Sequence, residues 1–171
     1  MAMPRKLKNM NLFNDGVSYA GVVKNVTLPP LSRKMEGYRA GGMNGPVKTD
    51  MGLSDDGIQL EWTCGGLDLQ VYRQWGITTV DGVLLRFAGA FQRDDTGEVS
   101  AVEVVVRGRH EELGTGDSAP GEDSEQSITT TCSYYKLTVD NEVLVEIDIM
   151  NMIEMVDGVD RLAEQRAAIG L

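Results

Sequence analysis

Two pairs of long strand-like segments, each joined by a short polar turn, constrain this chain more than any other feature. The first pair comprises residues 82–92 and 98–109, joined across Asp94-Asp95-Thr96-Gly97; the second comprises 127–139 and 142–150, joined at Asp140-Asn141. Asp, Asn and Gly suit tight hairpin turns because they tolerate left-handed backbone. Apolar and polar residues alternate along these segments, which gives each strand one buried and one solvated face. The sequence therefore predicts a mainly β fold with long hairpins.

Shorter elements fill the rest of the chain. Residues 58–64 alternate as a half-buried strand, and residues 17–28 read as a strand or hairpin that Pro29-Pro30 ends. Residues 67–75 are a short helix candidate, whose apolar stripe is formed by Leu67, Val71 and Trp75 and whose end is at Gly76. A second short helix is expected at 159–169. The prediction is about seven strands and two short helices, with both tryptophans, Trp62 and Trp75, in the core.

Charge divides the chain of 171 residues into two unequal parts. Residues 1–50 hold eight Lys and Arg against three Asp and Glu, whereas residues 51–171 hold eight against 23, and the whole chain has a net charge of −10. We expect one domain, 1–171, with an extended basic arm at 32–57 bent at its glycines and an acidic loop at 111–126. A basic arm on an acidic body suits self-association, and a solvated charge gradient is the equally open alternative.

The composition argues against several functional classes. A net charge of −10 does not suit a protein that grips nucleic acid, because phosphate binding needs a basic surface. Two cysteines and one histidine are too few for a disulfide scaffold, a zinc cluster or most histidine-based catalysis. We expect Cys64 and Cys132 to be reduced, buried thiols in a chain that folds in a reducing cytoplasm.

Short motifs with possible chemistry have simpler structural interpretations. Asp95-Thr96-Gly97 matches the aspartic protease triplet, but its position between two strands indicates a turn. His110 lies beside Glu111 and Glu112, and we expect it at the surface near a strand end rather than on a metal. Neither of the glycine-rich phosphate-binding motifs, GxxxxGK[ST] and a strand-bounded GxGxxG, occurs. The sequence thus predicts no catalytic, metal-binding or cofactor-binding residue and no cofactor, which describes a building block better than an enzyme.

Segments along essentially the whole chain carry a family resemblance. In order they are Met3-Pro4-Arg5-Lys6-Leu7, Asn11-Leu12-Phe13-Asn14-Asp15-Gly16, Val26-Thr27-Leu28-Pro29, Tyr38-Arg39-Ala40-Gly41-Gly42-Met43, Met51-Gly52-Leu53, Leu85-Arg86-Phe87-Ala88-Gly89, Val106-Arg107-Gly108-Arg109, Tyr134-Tyr135-Lys136-Leu137, Glu146-Ile147-Asp148 and Gly158-Val159-Asp160-Arg161-Leu162. No single segment is diagnostic, but together they resemble the major tail tube protein of contractile-tailed phages (myovirus type, FII-like) and of R-type pyocins.

The resemblance implies a fold and a structural, non-enzymatic function. The expected fold is a tail-tube-type β-sandwich or barrel with long hairpins, one flanking short helix and one C-terminal short helix. Hexameric rings would stack into a hollow inner tail tube, which is driven through the host envelope when a sheath contracts and which conducts DNA without binding it specifically. Implied partners are further copies of the chain, the tail sheath protein, the baseplate or tube initiator, the tape-measure protein and the tail terminator. The implied location is the virion tail, assembled in the host bacterial cytoplasm.

The resemblance also suggests where the assembly residues lie. Expected contacts between subunits and rings are Arg33, Lys34, Tyr38, Arg39, Met43, Met51 and Leu53. Expected lumen-lining residues, on strands 82–92 and 98–109, are Arg86, Ala88, Gln92, Glu103 and Arg107. Two alternatives stay open at this point. One is the ring-forming tube (needle) protein of a type VI secretion system, and the other is a monomeric β-sandwich binding module.

Overall fold

A computed structural model describes all 171 residues of the chain, and it is mainly β. Twelve strands and two short helices follow one another along the chain. Their bounds are β1 Arg5–Asn14, β2 Val17–Ser18, β3 Val23–Thr27, β4 Arg33–Tyr38, β5 Val47–Leu53, β6 Ile58–Cys64, α1 Leu69–Arg73, β7 Val83–Arg93, β8 Val99–Gly114, β9 Gln126–Val139, β10 Glu142–Asp148, β11 Ile153–Val156, β12 Val159–Asp160 and α2 Ala163–Ile169.

Both predicted long hairpins are present. β7 and β8 pair antiparallel from Gln92 opposite Val99, and β9 and β10 pair from Val139 opposite Glu142. The main sheet has the order β12-β11-β10-β9-β8-β7-β1-β2, and β6 joins it through β9 and carries β3 on its other edge. β4 and β5 form a separate two-stranded sheet. The body is therefore one strongly branched antiparallel sheet from which a small hairpin projects.

The long strands β8 and β9 pass from one part of the sheet to the other. β9 pairs with β6 through residues 126–132 and with β10 through residues 134–139. Opposite this change of partner, the β8–β9 register shifts between Arg107 and Gly108. A Cβ atom on Gly108 would lie 1.9 Å from the carbonyl oxygen of Thr131, so only glycine allows the two backbones to approach this closely.

The core lies on the inner faces of these strands. It contains sixteen buried residues, namely Leu12, Tyr19, Ile58, Leu60, Trp62, Cys64, Val71, Val83, Leu85, Phe87, Val104, Val106, Ile128, Cys132, Tyr135 and Ile147. The apolar face predicted for residues 58–64 is buried at every second residue, as its alternation indicated. Cys64 and Cys132 are free and buried, as predicted, and burial raises the pKa of their thiols to about 11 and about 12.

The predicted helix stripe is wrong. α1 has only five residues, so Leu67 precedes it, Trp75 follows it, and both side chains are exposed. Val71 is buried as expected, and the second residue that the helix region buries is the polar Gln74. Trp75 therefore lies outside the core, and Trp62 is the only core tryptophan.

Several element boundaries also differ from those predicted. The C-terminal helix begins at Ala163, because residues 159–160 pair with β11 as a short strand. Residues 111–114 continue β8 and Gln126 begins β9, so the acidic loop spans 115–125. Twelve strands exceed the predicted seven because two-residue strands are too short to show a period, and because β1 is mostly polar.

Candidate assembly surfaces

The segment predicted as an extended arm forms an exposed hairpin, residues 33–53, which we call the arm. β4 and β5 pair antiparallel, with Tyr38 opposite Val47, and the connecting residues 39–46 contain three of the glycines. Every residue of β4 is exposed, and the exposed fractions of Tyr38 and Val47 are 61% and 60%. A two-stranded hairpin is marginal alone in water, and exposed apolar side chains in a group indicate a contact surface.

The base of the arm is fixed to the body by Arg33. Its guanidinium donates from Nε to Asp50 on β5 and from Nη1 to Glu154 on β11, each at 2.5 Å. The backbone amide of Ser54 donates to the carbonyl of Ser32 at 2.9 Å. This hydrogen bond holds the residues that enter and leave the arm next to each other. The Gly52 amide and then Arg33 lower the pKa of the Asp50 carboxyl below its usual value. The arm thus leaves the body at a defined point.

The residues predicted to contact neighbouring copies all lie on this arm. Lys34, Tyr38 and Met51 are exposed on its strands, and Arg39 and Met43 lie in the connection. Lys34 pairs with Asp55 at 2.7 Å. Leu53 differs from the others because it is partly buried and packs against the core, so it anchors the arm from below.

The residues predicted to line a lumen share one face of the sheet. Arg86, Ala88 and Gln92 alternate with core residues of β7, and Glu103 and Arg107 do so on β8. Ala88 lies directly opposite Glu103, and Arg86 Nε donates to Glu103 Oε2 at 3.1 Å. The structure therefore brings all five together on the solvent side of the sheet, opposite the core.

This outer face continues across the neighbouring strands with mixed charge. Cross-strand pairing places Lys136, Glu146 and Asp148 on the same side as Val105 and Arg107. Together with Arg86 and Glu103, the face carries three cationic and three anionic side chains. A shallow depression of about 530 Å³ lies in it, and its lining includes the small residues Ala88, Ala90 and Ala101. From β7 to β10 the charges of this face are balanced, and the depression in it is mostly apolar.

The edge of β1 is open along most of its length. β7 pairs with β1 from Arg5 to Asn14, but on the other side β2 pairs only with Phe13 and Asn14. Two amides that point away from β7, those of Met10 and Leu12, donate to the side-chain oxygens of Asn9 and Asn11 at 2.9 and 2.8 Å. Short polar side chains therefore occupy hydrogen-bonding groups that another strand would otherwise use.

The acidic loop, residues 115–125, is tied to β3. Lys24 Nζ lies 2.8 Å from Asp123 and 2.5 Å from Glu125, and the ammonium lowers the pKa of the Asp123 carboxyl. Next to it, the Asp68 amide at the start of α1 donates to Gln126 Oε1 at 2.8 Å. The end of the acidic loop and the beginning of α1 are thus neighbours.

His110 is buried in a polar network, so its predicted surface position is wrong. Its Nε2 lies 2.9 Å from Gln74 Oε1, and its Nδ1 lies 3.0 Å from Thr130 Oγ1. Gln74 directs its amide nitrogen at Asn14 and Asp15, which leaves its oxygen to accept from His110. Burial lowers the pKa of His110 to about 4. The signal was present in the sequence, because His110 continues the buried alternation of Val104 and Val106.

Residues 4–170 match the family model described as phage tail tube protein FII. The chain belongs to this family of phage tail tube proteins. The tail tube protein of Escherichia phage P2 is 56% identical over 172 residues, which covers 100% of both chains. The major tail tube protein of Serratia phage KSP20 is 37% identical over 158 residues, covering 92% of this chain and 91% of that protein. The predicted family and the predicted structural, non-enzymatic role are therefore confirmed.

Solved structures confirm the fold of this tail tube protein. The tube-terminating cap of the anti-feeding prophage superposes with a TM-score of 0.61 at 14% identity, covering 81% of this chain and 93% of that one. A chain of the PVC sheath–tube complex, an extracellular contractile injection system in its extended state, gives 0.55 at 12% identity, with 79% and 91% covered. At these identities the likeness concerns the fold. As a phage tail tube protein, it forms part of a virion tail. Neither of its helices is long and apolar enough to cross a membrane.

Proposed function

We propose that copies of this chain close into hexameric rings, that the rings stack into the hollow inner tube of a contractile tail, and that DNA passes through the bore. The observation that carries this proposal is the open edge of β1. Residues 5–11 lie beyond the reach of β2 and leave one side of β1 unpaired, whereas β7 pairs with the other side from Arg5 to Asn14. A closed ring in which each copy covers the β1 edge of the next leaves no copy with that edge exposed.

The outer face of β7 and β8 is our choice for the bore. Three cationic and three anionic side chains give DNA no continuous basic stripe, and a chain with a net charge of −10 repels phosphate overall. The charged groups partly satisfy each other, as Arg86 and Glu103 do. DNA would therefore slide past this face without specific binding.

The arm supplies contacts between copies, and the whole chain, 1–171, acts as one tube domain that carries it. Contacts from one ring to the next are heterologous, so stacking is open-ended and something else must set the tube length. This requirement fits the partners that the family resemblance implied, which are a tube initiator at the baseplate, a tape-measure protein, a terminator and an enclosing sheath. Assembly would take place in the host cytoplasm before the sheath drives the tube through the envelope.

Negative-stain electron microscopy of two chains tests the proposal. The first is the wild-type chain at increasing concentration, with and without tail ends as seeds. In the second, residues 34–52 are replaced by a short Gly-Ser link, which keeps Arg33 on Glu154 and Leu53 against the core and which the pairing of Arg33 with Leu53 permits. We expect rings and hollow tubes from the first and folded, unstacked copies from the second. A wild-type chain that stays monomeric when seeded contradicts the tube, and tubes formed without the arm contradict the role of the arm.

A further inference from the structure

α1 presents an apolar face that nothing in the chain covers. Leu69, Tyr72 and Trp75 follow one another at intervals of three residues, and Leu67 precedes them. The exposed fractions of Leu67 and Trp75 are 68% and 53%. Trp75 stays in line with the helix because its amide donates to the carbonyl of Tyr72 at 3.2 Å. Single exposed apolar residues need no explanation, but a group of four on one short element indicates a contact surface.

The acidic loop ends beside the start of this α1 face. The Asp68–Gln126 hydrogen bond places the end of the acidic loop beside the start of the helix. The loop, residues 115–125, holds four carboxylates and no cation. Lys24 pairs with Asp123 and Glu125, whereas Asp117 and Glu122 have no ion-pair partner. Arg73 is the single cation on α1. The acidic loop and Asp68 therefore bring an excess of negative charge to the N-terminal end of the α1 face.

The tip of the arm has the opposite character. Tyr38 and Val47 form an exposed apolar cross-strand pair, and each is followed by a cation, Arg39 and Lys48. Residues 37–49 contain no acidic side chain, and neither Arg39 nor Lys48 has an ion-pair partner in the chain. The tip is an apolar pair flanked by unpaired positive charge, which complements an apolar face with an excess of negative charge at its N-terminal end.

We propose that the arm tip of one copy docks on the α1 face of a neighbouring copy. Tyr38 and Val47 would pack against Tyr72 and Trp75, and Arg39 and Lys48 would face the acidic loop. Both surfaces are exposed in the single chain, so the arm tip does not contact the α1 face of its own copy. The inference rests on the proposed tube and deepens it, because it names the surface that receives the arm. Aromatic side chains at the centre and charges at the rim are the usual arrangement of a specific interface.

Tryptophan fluorescence of the unmodified chain tests the docking. The chain has two tryptophans, and Trp62 is buried in the monomer while Trp75 is exposed. We expect assembly into tubes to shift the emission to shorter wavelength and to protect it from acrylamide. Trp75→Phe supplies the background from Trp62 and should show neither change. Tubes in which Trp75 stays as accessible as in the monomer overturn the docking and leave the tube itself intact.

Cross-linking identifies the docking partner directly. The native thiols are buried, so Val47→Cys in one copy and Tyr72→Cys in another supply the accessible pair. Tubes made from a mixture of the two variants should give a covalent dimer under mild oxidation. A control mixture replaces Tyr72→Cys by Glu142→Cys, at the exposed first residue of β10, and should give none. Tubes that form without a dimer in the first mixture, or with equal dimer in both, overturn the inference. Failure of the wild-type chain to form any tube contradicts the proposed function instead.

Discussion

Arg33 and Glu154 are 121 residues apart in the chain, and their side chains meet at 2.5 Å where the arm joins the body. The exposed fraction of the Glu154 side chain is only 11%, whereas that of Arg33 is 37%. A carboxylate that is mostly removed from water depends on its partner, because it loses hydration that only the guanidinium replaces. The direction in which the arm leaves the body is therefore linked to the stability of β11.

Arg33→Ala should destabilise the chain by about 1–2 kcal/mol, because it leaves the Glu154 carboxylate nearly buried without its cation. Urea unfolding measures the change. Glu154→Gln added to Arg33→Ala should recover most of it, since the neutral amide needs no counter-charge. Lys34→Ala is the matched control and should change stability by less than about 0.5 kcal/mol, because Lys34 and Asp55 form an exposed pair. Equal losses from Arg33→Ala and Lys34→Ala would contradict this account.

The asparagines beside the open edge of β1 should restrain premature pairing. In the wild type the backbone amides of Met10 and Leu12 donate to the side chains of Asn9 and Asn11. The double variant Asn9→Ala with Asn11→Ala leaves these two amides free to pair with another strand. We expect the double variant to associate at a lower concentration than the wild type, as light scattering would measure. Asn25→Ala, an exposed asparagine on β3, serves as control and should behave as the wild type. Unchanged or slower association of the double variant would show that these side chains do not guard the edge.

Acidification should destabilise the protein through His110. Its pKa is about 4 in the folded chain and 6.5 in an ordinary environment, so the unfolded chain binds the proton first as the pH falls. The stability contributed by neutral His110 is complete well above pH 6.5, is lost as the pH falls through 6.5 towards 4, and amounts to at most about 3–4 kcal/mol.

Urea unfolding at pH 7.5, 6 and 5 measures this loss. His110→Gln removes the titrating group, so its stability should fall less steeply over the same range, although it starts lower. Carboxylates titrate in the wild type and in His110→Gln alike. The difference between the two pH profiles therefore reports the imidazole alone. Parallel pH profiles for the wild type and His110→Gln would contradict a buried neutral histidine.

Gly108→Ala should prevent folding or cost more than about 3 kcal/mol. The new Cβ would lie 1.9 Å from the Thr131 carbonyl oxygen and 2.8 Å from the Cys132 Cα, and neither is a flexible side-chain end. Gly114→Ala on the same strand meets nothing within 4 Å and is the matched control. Thermal unfolding followed by circular dichroism separates the two variants. A folded Gly108→Ala protein with wild-type stability would show that β8 and β9 are not so close at the point where β9 changes partner.

The sequence predicted the parts of the fold that depend on period and turn chemistry. Alternation alone identified the inner face of Ile58–Cys64, and the residues Asp140-Asn141 marked a hairpin turn, where both have positive φ. His110 was misplaced because its acidic neighbours Glu111 and Glu112 and an expected strand end at residue 109 indicated the surface, whereas β8 continues to Gly114 and buries His110 in its alternation. Trp75 was misplaced because the helix ends at Arg73, so Trp75 lies beyond it and the spacing from Val71 no longer directs its side chain into the core.

The assembly surfaces were only partly accessible to sequence reasoning. The excess of Lys and Arg in residues 32–57 indicated a basic arm. The alternation of β7 and β8 predicted that the lumen candidates share one solvent-exposed face. The exposed face of α1 was not predicted, because the sequence was interpreted as one apolar stripe of Leu67, Val71 and Trp75 directed at the core. The ion pair between Arg33 and Glu154 was inaccessible for another reason, since no local pattern relates residues that the topology alone brings together.

A cryo-EM reconstruction of the protein assembled in vitro tests the central claim most directly. We predict stacked rings around an open bore, with Arg86, Ala88 and Glu103 facing the bore and β1 covered along residues 5–11 by a neighbouring copy. A particle without a bore, or a tube in which the face of Arg86 and Glu103 points outward and the edge of β1 stays open, would contradict the account.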